Sequence, residues 1–281
     1  MIDLFNTTAF ACSKKVTVLY SNSFSMGIKA LDKRLHDAIY GIYGFVRFAD
    51  EIVDTFHNHN KHELLQEFKR DTYKAIEQRI SLNPVLHAFQ LVVHQYNIRP
   101  EYIEAFFRSM EMDLYNVAYE PENYNEYIYG SAEVVGLMCL QVFCEGDEQL
   151  FTKLLEPARA LGAAFQKVNF LRDIKSDFEE RGRVYFPGIN FHAFDAQSKK
   201  LIEQDIENDF KAAYAGIVQL PSTSRFGVYL AYTYYLKLFN KIRNTPAERV
   251  ASARIRISNT RKVWLLAKAY WNKTLFGFYA Q

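Results

Sequence analysis

The chain has 281 residues, a formal net charge of +2, and a composition that is 49% apolar and 16% aromatic. Composition does not shift along it, so residues 1–281 read as one domain with ample material for a core. The near-neutral balance, with no basic block and no zinc or stacking motif, argues against nucleic acid as a partner.

From the N-terminus, Met1 to Phe10 carries Asp3 and lacks a basic region followed by a long apolar run, so no signal peptide is expected. No uninterrupted apolar stretch approaches ~18 residues, so no membrane span is expected either. The three cysteines, Cys12, Cys139 and Cys144, show no CxxC spacing. Reduced thiols in a cytoplasmic protein are the simplest reading.

Apolar residues recur at three- and four-residue steps, and no alternating run demands a sheet. The pattern predicts helices over roughly 24–57, 60–80, 84–96, 100–118, 123–144, 147–180, 197–219, 224–244 and 256–276. Pro84, Pro100, Pro121 and Pro246 fall at the joints between them. Ser21, Asn22 and Ser23 offer an N-cap to the first. The stretch from Arg181 to Phe194 breaks periodicity and reads as a loop. The expected fold class is an all-α bundle.

Two of these helices carry an unusual stripe. Residues 39–54, IYGIYGFVRFADEIVD, are apolar nearly all round, which predicts burial. Yet Tyr43, Arg47, Asp50 and Asp54 share an arc of about 60°. A polar stripe on a buried helix points to an internal cavity. In LGAAFQKVNFLRDIKSDF, residues 161–178, Gln166, Asn169, Asp173 and Asp177 share an arc of about 80° between apolar flanks. Gly162, Ala163 and Ala164 would let a helix or ligand approach closely.

Carboxylates at i and i+4 repel, and more strongly where they are desolvated. Bound cations would relieve both pairs, Asp50/Asp54 and Asp173/Asp177. With Asn169, every offered ligand is an oxygen donor, which suits Mg²⁺, with Mn²⁺ as the alternative. Magnesium held by few carboxylates completes its shell with water and phosphate oxygens. Arg47 and Arg172 add donors for phosphate, or salt bridges to the aspartates. A single DxxxD is usually a solvated face; two on apolar helices are harder to read that way.

These segments resemble the squalene/phytoene synthase family over nearly the whole chain. The resemblance rests on YSNSFSMGI from Tyr20, YGIYGFVRFADEIVD, SMEMDL at 109–114, YIYGSAEVVG at 127–136, and QKVNFLRDIKSDFEERGRVYFP at 166–187. It implies an isoprenoid-synthase helical bundle around a central cavity. By the same likeness, Asp50, Asp54, Asn169, Asp173 and Asp177 bind magnesium bridging to substrate diphosphates. Tyr43, Arg47, Gln166 and Arg172 would line the diphosphate end, with further contacts from Ser23, Ser25, Tyr127, Tyr185, Tyr235 and Arg249. Where many relatives have a small VAG-type run, this chain reads Gly130-Ser131-Ala132-Glu133, and Glu133 is expected to be satisfied within the helix or at the surface.

The implied chemistry is head-to-head joining of two prenyl diphosphates, with phytoene from geranylgeranyl diphosphate as the expected product and no NADPH. The alternatives are a dehydrosqualene or presqualene diphosphate synthase using farnesyl diphosphate, a terpene cyclase, and a non-catalytic helical scaffold. A water-insoluble product further predicts peripheral contact with the inner face of a membrane. Oligomeric state is not legible.

Overall fold

The computed structural model describes residues 1–115, 119–188 and 194–255. The elements are α1 (Ile2–Tyr20), α2 (Asn22–Lys29), α3 (Lys33–Asp54), α4 (Lys61–Gln78), α5 (Pro84–Tyr96), α6 (Pro100–Tyr115), α7 (Pro121–Ile128), a π-helical turn (Tyr129–Glu133), α8 (Val134–Cys144), α9 (Glu148–Arg181), α10 (Ala196–Ile217), α11 (Ser222–Arg243) and α12 (Ala247–Ser252). The fold is all-α, and no strand forms among the described residues. The helix expected over 256–276 lies outside them.

Local chemistry explains the joints. Pro84, Pro100 and Pro121 open their helices, where a missing N–H goes unnoticed. Asn83 Oδ1 accepts from the Val85 and Leu86 amides, and Asp147 Oδ1 from the Leu150 amide. Gly182, at φ 66°, closes α9 in the left-handed conformation that glycine adopts freely.

The structure corrects the sequence reading at three places. Helix α1 was not expected. Its buried residues are Ala9, Ser13 and Thr17, spaced four apart, so the inward stripe is small and partly polar and leaves no apolar period. That smallness lets α1 sit against α3, where a Cβ on Gly44 would lie 2.9 Å from Ser13 Oγ. The single helix expected over 24–57 is two helices, because Asp32 caps α3 by accepting from the Arg34 amide. The run Glu122–Cys144 is long and apolar enough to cross a membrane by length and composition, although no uninterrupted apolar stretch announces it. Two thirds of its most apolar 18-residue window is buried inside the fold.

Two hydrophobic cores organise the bundle. The first gathers α3, α4, α5, α6 and α8 around Phe45, whose ring stacks 3.9 Å from Phe89 and touches Phe106 and Phe107. The second gathers α7, α9, α10 and α11 around Phe170, Phe210 and Phe239. Helix α3 buries its apolar back in the first core and α9 in the second. The polar stripes of both are thereby left to the seam between the cores.

Small residues hold that seam tight. A Cβ on Gly162 would stand 2.5 Å from the Ala132 carbonyl oxygen, and one on Gly130 2.4 Å from the Ala105 carbonyl oxygen. Backbone cannot yield as a flexible side chain does, so Gly162→Ala should separate α9 from the π-helical turn. The expected loss is about 1–3 kcal/mol, read as a fall in the thermal unfolding midpoint.

Candidate active site

Along α3, the Arg47 guanidinium pairs with Glu51 and with Asp50 at 3.7 Å, and lies 4.5 Å from the centroid of the Tyr20 ring. Tyr43, one turn earlier, stacks on Phe24 with centroids 5.1 Å apart and is in hydrogen-bonding contact with Ser21. Burial, with the charge of Asp50 adding to it, pushes the Tyr43 hydroxyl up to about 12. Tyr43 is therefore a neutral phenol at physiological pH.

Along α9, Asp173 accepts from Arg172 at 3.0 and 2.5 Å and pairs with Arg254 at 2.7 Å. Asn169 Oδ1 accepts from the Tyr235 hydroxyl at 3.4 Å, and the Tyr235 ring stacks 3.9 Å from Phe165. Asp177 is buried, and its carbonyl accepts from the Arg183 amide at 2.8 Å. That bond folds the chain after α9 back toward α3.

The returning segment joins the two stripes. Arg183 Nη1 donates to Asp54 Oδ1 at 2.9 Å and to the Tyr185 oxygen at 3.2 Å, and stands 3.5 Å from Asp113 Oδ1. Its Nη2 donates to the Asp113 carbonyl at 2.8 Å. The Asp113 carboxylate also accepts from the Tyr119 and Tyr127 hydroxyls, at 3.1 and 2.8 Å. Tyr185 stacks on Phe170 at 3.9 Å and on Tyr127 at 5.4 Å, building an aromatic wall beside the carboxylates. The Tyr185 hydroxyl lies within electrostatic reach of both Asp54 and Asp177, and Tyr43 within that of Tyr235. The acidic stripes thus face one another.

Below them runs a cavity of about 240 Å³. Phe24, Phe165 and Gln166 stand where it meets the stripes, and Leu31, Phe143, Leu154 and Leu220 line it farther in. From Gln166 to Leu154 along α9 is about 18 Å at 1.5 Å per residue. Its other walls are apolar or small, among them Ser131, Ala132 and Gly136. Glu133 does not line it. Its carboxylate pairs with Arg159 on α9 at 2.6 Å, and that guanidinium also lies 5.4 Å from the Tyr129 ring. The expectation of a partner within its own helix or at the surface is corrected: with 14% of its side chain exposed, Glu133 is satisfied by a guanidinium on a neighbouring helix.

The sequence-predicted residues are not all gathered here. Ser25 is buried and turned toward α1, donating to the Thr17 carbonyl at 3.3 Å, so its hydroxyl is spent on packing. Ser23 is half-buried on α2; Ser21, two residues earlier, is the serine in contact with Tyr43. Arg249 is exposed, and Arg254 reaches Asp173 instead, because α12 ends at Ser252 and the chain then runs on toward α9. Asp113 and Arg183 were missed, although SMEMDL and GRVYFP carried them in plain view. Neither shares a helical stripe with the paired aspartates, so periodicity does not point to them.

The donor set fits a hard cation: five oxygen-bearing side chains on two facing helices, and no histidine among them. No three Asp, Glu, His or Cys side chains among the described residues stand close enough to hold an ion alone. A ligand bringing its own oxygens would complete the shell of an ion held here.

Burial raises the Asp113 carboxyl to about 6 against the Arg183 charge that lowers it. A carboxyl raised on folding binds its proton more tightly in the native state. Stability therefore falls as pH rises from about 4 through 6. Relative to Asp113→Asn, wild type should lose on the order of 2–3 kcal/mol over that window in denaturant unfolding.

The sequence pattern of the Squalene/phytoene synthase family matches residues 18–261. The chain is 27% identical over 255 residues to a 15-cis-phytoene synthase of Enterobacter agglomerans, covering 79% of this chain and 82% of that one. It is 26% identical over 196 residues to a 4,4'-diapophytoene synthase of Staphylococcus haemolyticus, covering 68% and 66%. A crystal structure of a dehydrosqualene synthase in complex with ligand superposes with a TM-score of 0.80 at 22% identity, over 96% of this chain and 98% of that one. A match across most of the chain, together with an all-helical fold that presents two acidic stripes to one cavity, makes this protein a member of the squalene/phytoene synthase family, prenyltransferase-type enzymes that condense prenyl diphosphates head to head.

Proposed function

We propose that this protein joins two molecules of geranylgeranyl diphosphate to give phytoene, by way of a cyclopropyl (prephytoene) diphosphate and with release of diphosphate, in carotenoid biosynthesis. The observation that carries the reading is the pair of facing acidic stripes above an apolar cavity that extends about 18 Å along α9. Relatives named as phytoene synthases support the twenty-carbon substrate. The 4,4'-diapophytoene synthase match at nearly the same identity supports a second reading, the same reaction on farnesyl diphosphate.

In this reading Asp50, Asp54, Asn169, Asp173 and Asp177 hold magnesium at the diphosphate end. The bound ions supply charge neutralisation for the departing diphosphate. Arg47 and Arg172 add guanidinium donors to the same oxygens. Gln166 and Tyr43 orient the first isoprene unit where the stripes meet the cavity. The apolar walls exclude water, which would quench an allylic cation. The aromatic rings of Phe24 and Phe165 on the cavity wall offer it favourable electrostatics.

Ring closure releases a proton. Burial holds Tyr43 and Tyr185 as neutral phenols, with hydroxyls raised well above their ordinary range. A protonated phenol is a donor and a poor base, so the released diphosphate is the better acceptor. No reductant enters the scheme, and NADPH should leave the product unchanged. As a single helical domain in the cytoplasm, the enzyme would deliver its hydrocarbon to the inner face of a membrane by peripheral contact.

Purified protein incubated with geranylgeranyl diphosphate and Mg²⁺ should yield a forty-carbon hydrocarbon, and none without the metal. Product only from farnesyl diphosphate would move the enzyme to the thirty-carbon branch. Asp50→Ala and Asp173→Ala should each lower kcat at least about a hundredfold, since each removes a ligand needed as charge develops. Wild-type rates in either variant would rule out that acidic stripe as a metal site.

A further inference from the structure

Asp113 belongs to neither acidic stripe, yet it is buried and shares one guanidinium with Asp54. Arg183 Nη1 stands 2.9 Å from Asp54 Oδ1 and 3.5 Å from Asp113 Oδ1. The two carboxylates therefore compete for one cation. They are not equivalent. Asp113 has only 4% of its side chain exposed, whereas Asp54 has 26%. Its other partners are two phenols, which donate hydrogen bonds but bring no charge.

A buried carboxylate without a countercharge is strongly disfavoured, while Asp54 has an alternative if a metal ion arrives. Arg183 is also tied to the Asp113 backbone through Nη2, at 2.8 Å, so its guanidinium stays with Asp113 when Asp54 turns away.

We propose that Asp113 is a positioning residue that retains Arg183 when Asp54 takes up a metal ion, and so keeps the guanidinium from competing for the metal ligand. This rests on the reading of Asp54 as a metal ligand. Replacing Asp113 by Asn keeps the size and the backbone carbonyl but removes the charge. Arg183 then has Asp54 as its principal anion and holds it more firmly. Arg183→Lys acts the other way, because a single ammonium cannot span both carboxylates and the backbone carbonyl. A merely structural role for Asp113 would not give shifts of opposite sign.

The test is Mn²⁺ binding in the presence of inorganic diphosphate, followed by the loss of the free-ion resonance signal at pH 8. Asp54→Asn identifies the share of binding that belongs to this carboxylate. Asp113→Asn should weaken that share about five- to tenfold, and Arg183→Lys should tighten it. Tyr119→Phe removes one hydrogen bond to Asp113 and no charge, and should stay within about twofold of wild type. Circular dichroism melts accompany each variant, and should Asp113→Asn fail to fold, Arg183→Lys decides alone by the direction of its shift. Unchanged or weakened binding in Arg183→Lys, or wild-type affinity in folded Asp113→Asn, overturns the proposal and leaves Asp54 as a ligand. Mn²⁺ binding indifferent to Asp54→Asn overturns both.

Discussion

A carboxylate taken out of water needs a countercharge, and this bundle places several of them at the head of an apolar cavity. Arg47 stands by Asp50, Arg183 by Asp54 and Asp113, and Arg172 with Arg254 by Asp173. That requirement governs what surrounds the cavity. It explains why the segment after α9 turns back to deliver Arg183, and why the chain beyond α12 brings Arg254 across. The same guanidiniums have the donor geometry that diphosphate oxygens would take, so under the proposed function one set of cations would serve both folding and ligand recognition.

The two-core construction makes this arrangement feasible. Helices with acidic stripes would normally turn them to solvent. Here each helix satisfies its apolar back in a separate core, and the cores meet along small residues. Gly130 and Gly162 bring helix backbones within contact of neighbouring carbonyls. The cavity is the volume those close approaches leave beside them. Its apolar lining and its charged head follow from the same seam, and a reactive cation needs both.

The π-helical turn illustrates how a charged residue beside an apolar cavity is accommodated. Glu133 does not turn its carboxylate into the apolar cavity. It pairs instead with Arg159 on α9, while Ser131 and Ala132 face the cavity. The extra residue of a π turn alters which side chains project to each face. A charged residue thereby joins a helix contact, and the cavity wall stays small.

Much of the architecture was legible without coordinates. Periodicity at 3.6 residues, proline at first helical positions and the paired aspartates on apolar helices are local properties, readable because a helix maps sequence spacing directly onto faces. Helix α1 escaped because its buried stripe of Ala9, Ser13 and Thr17 has no apolar contrast. The break at Asp32 escaped because one capping hydrogen bond outweighed a continuous pattern. Asp113 and Arg183 lie 70 residues apart and meet only through the fold, as do Arg254 and Asp173. The sequence by itself determined most of the helices and the two stripes of oxygen-bearing side chains. Only the tertiary structure decided which cations answer them, since charge compensation acts through space between segments that no local period relates.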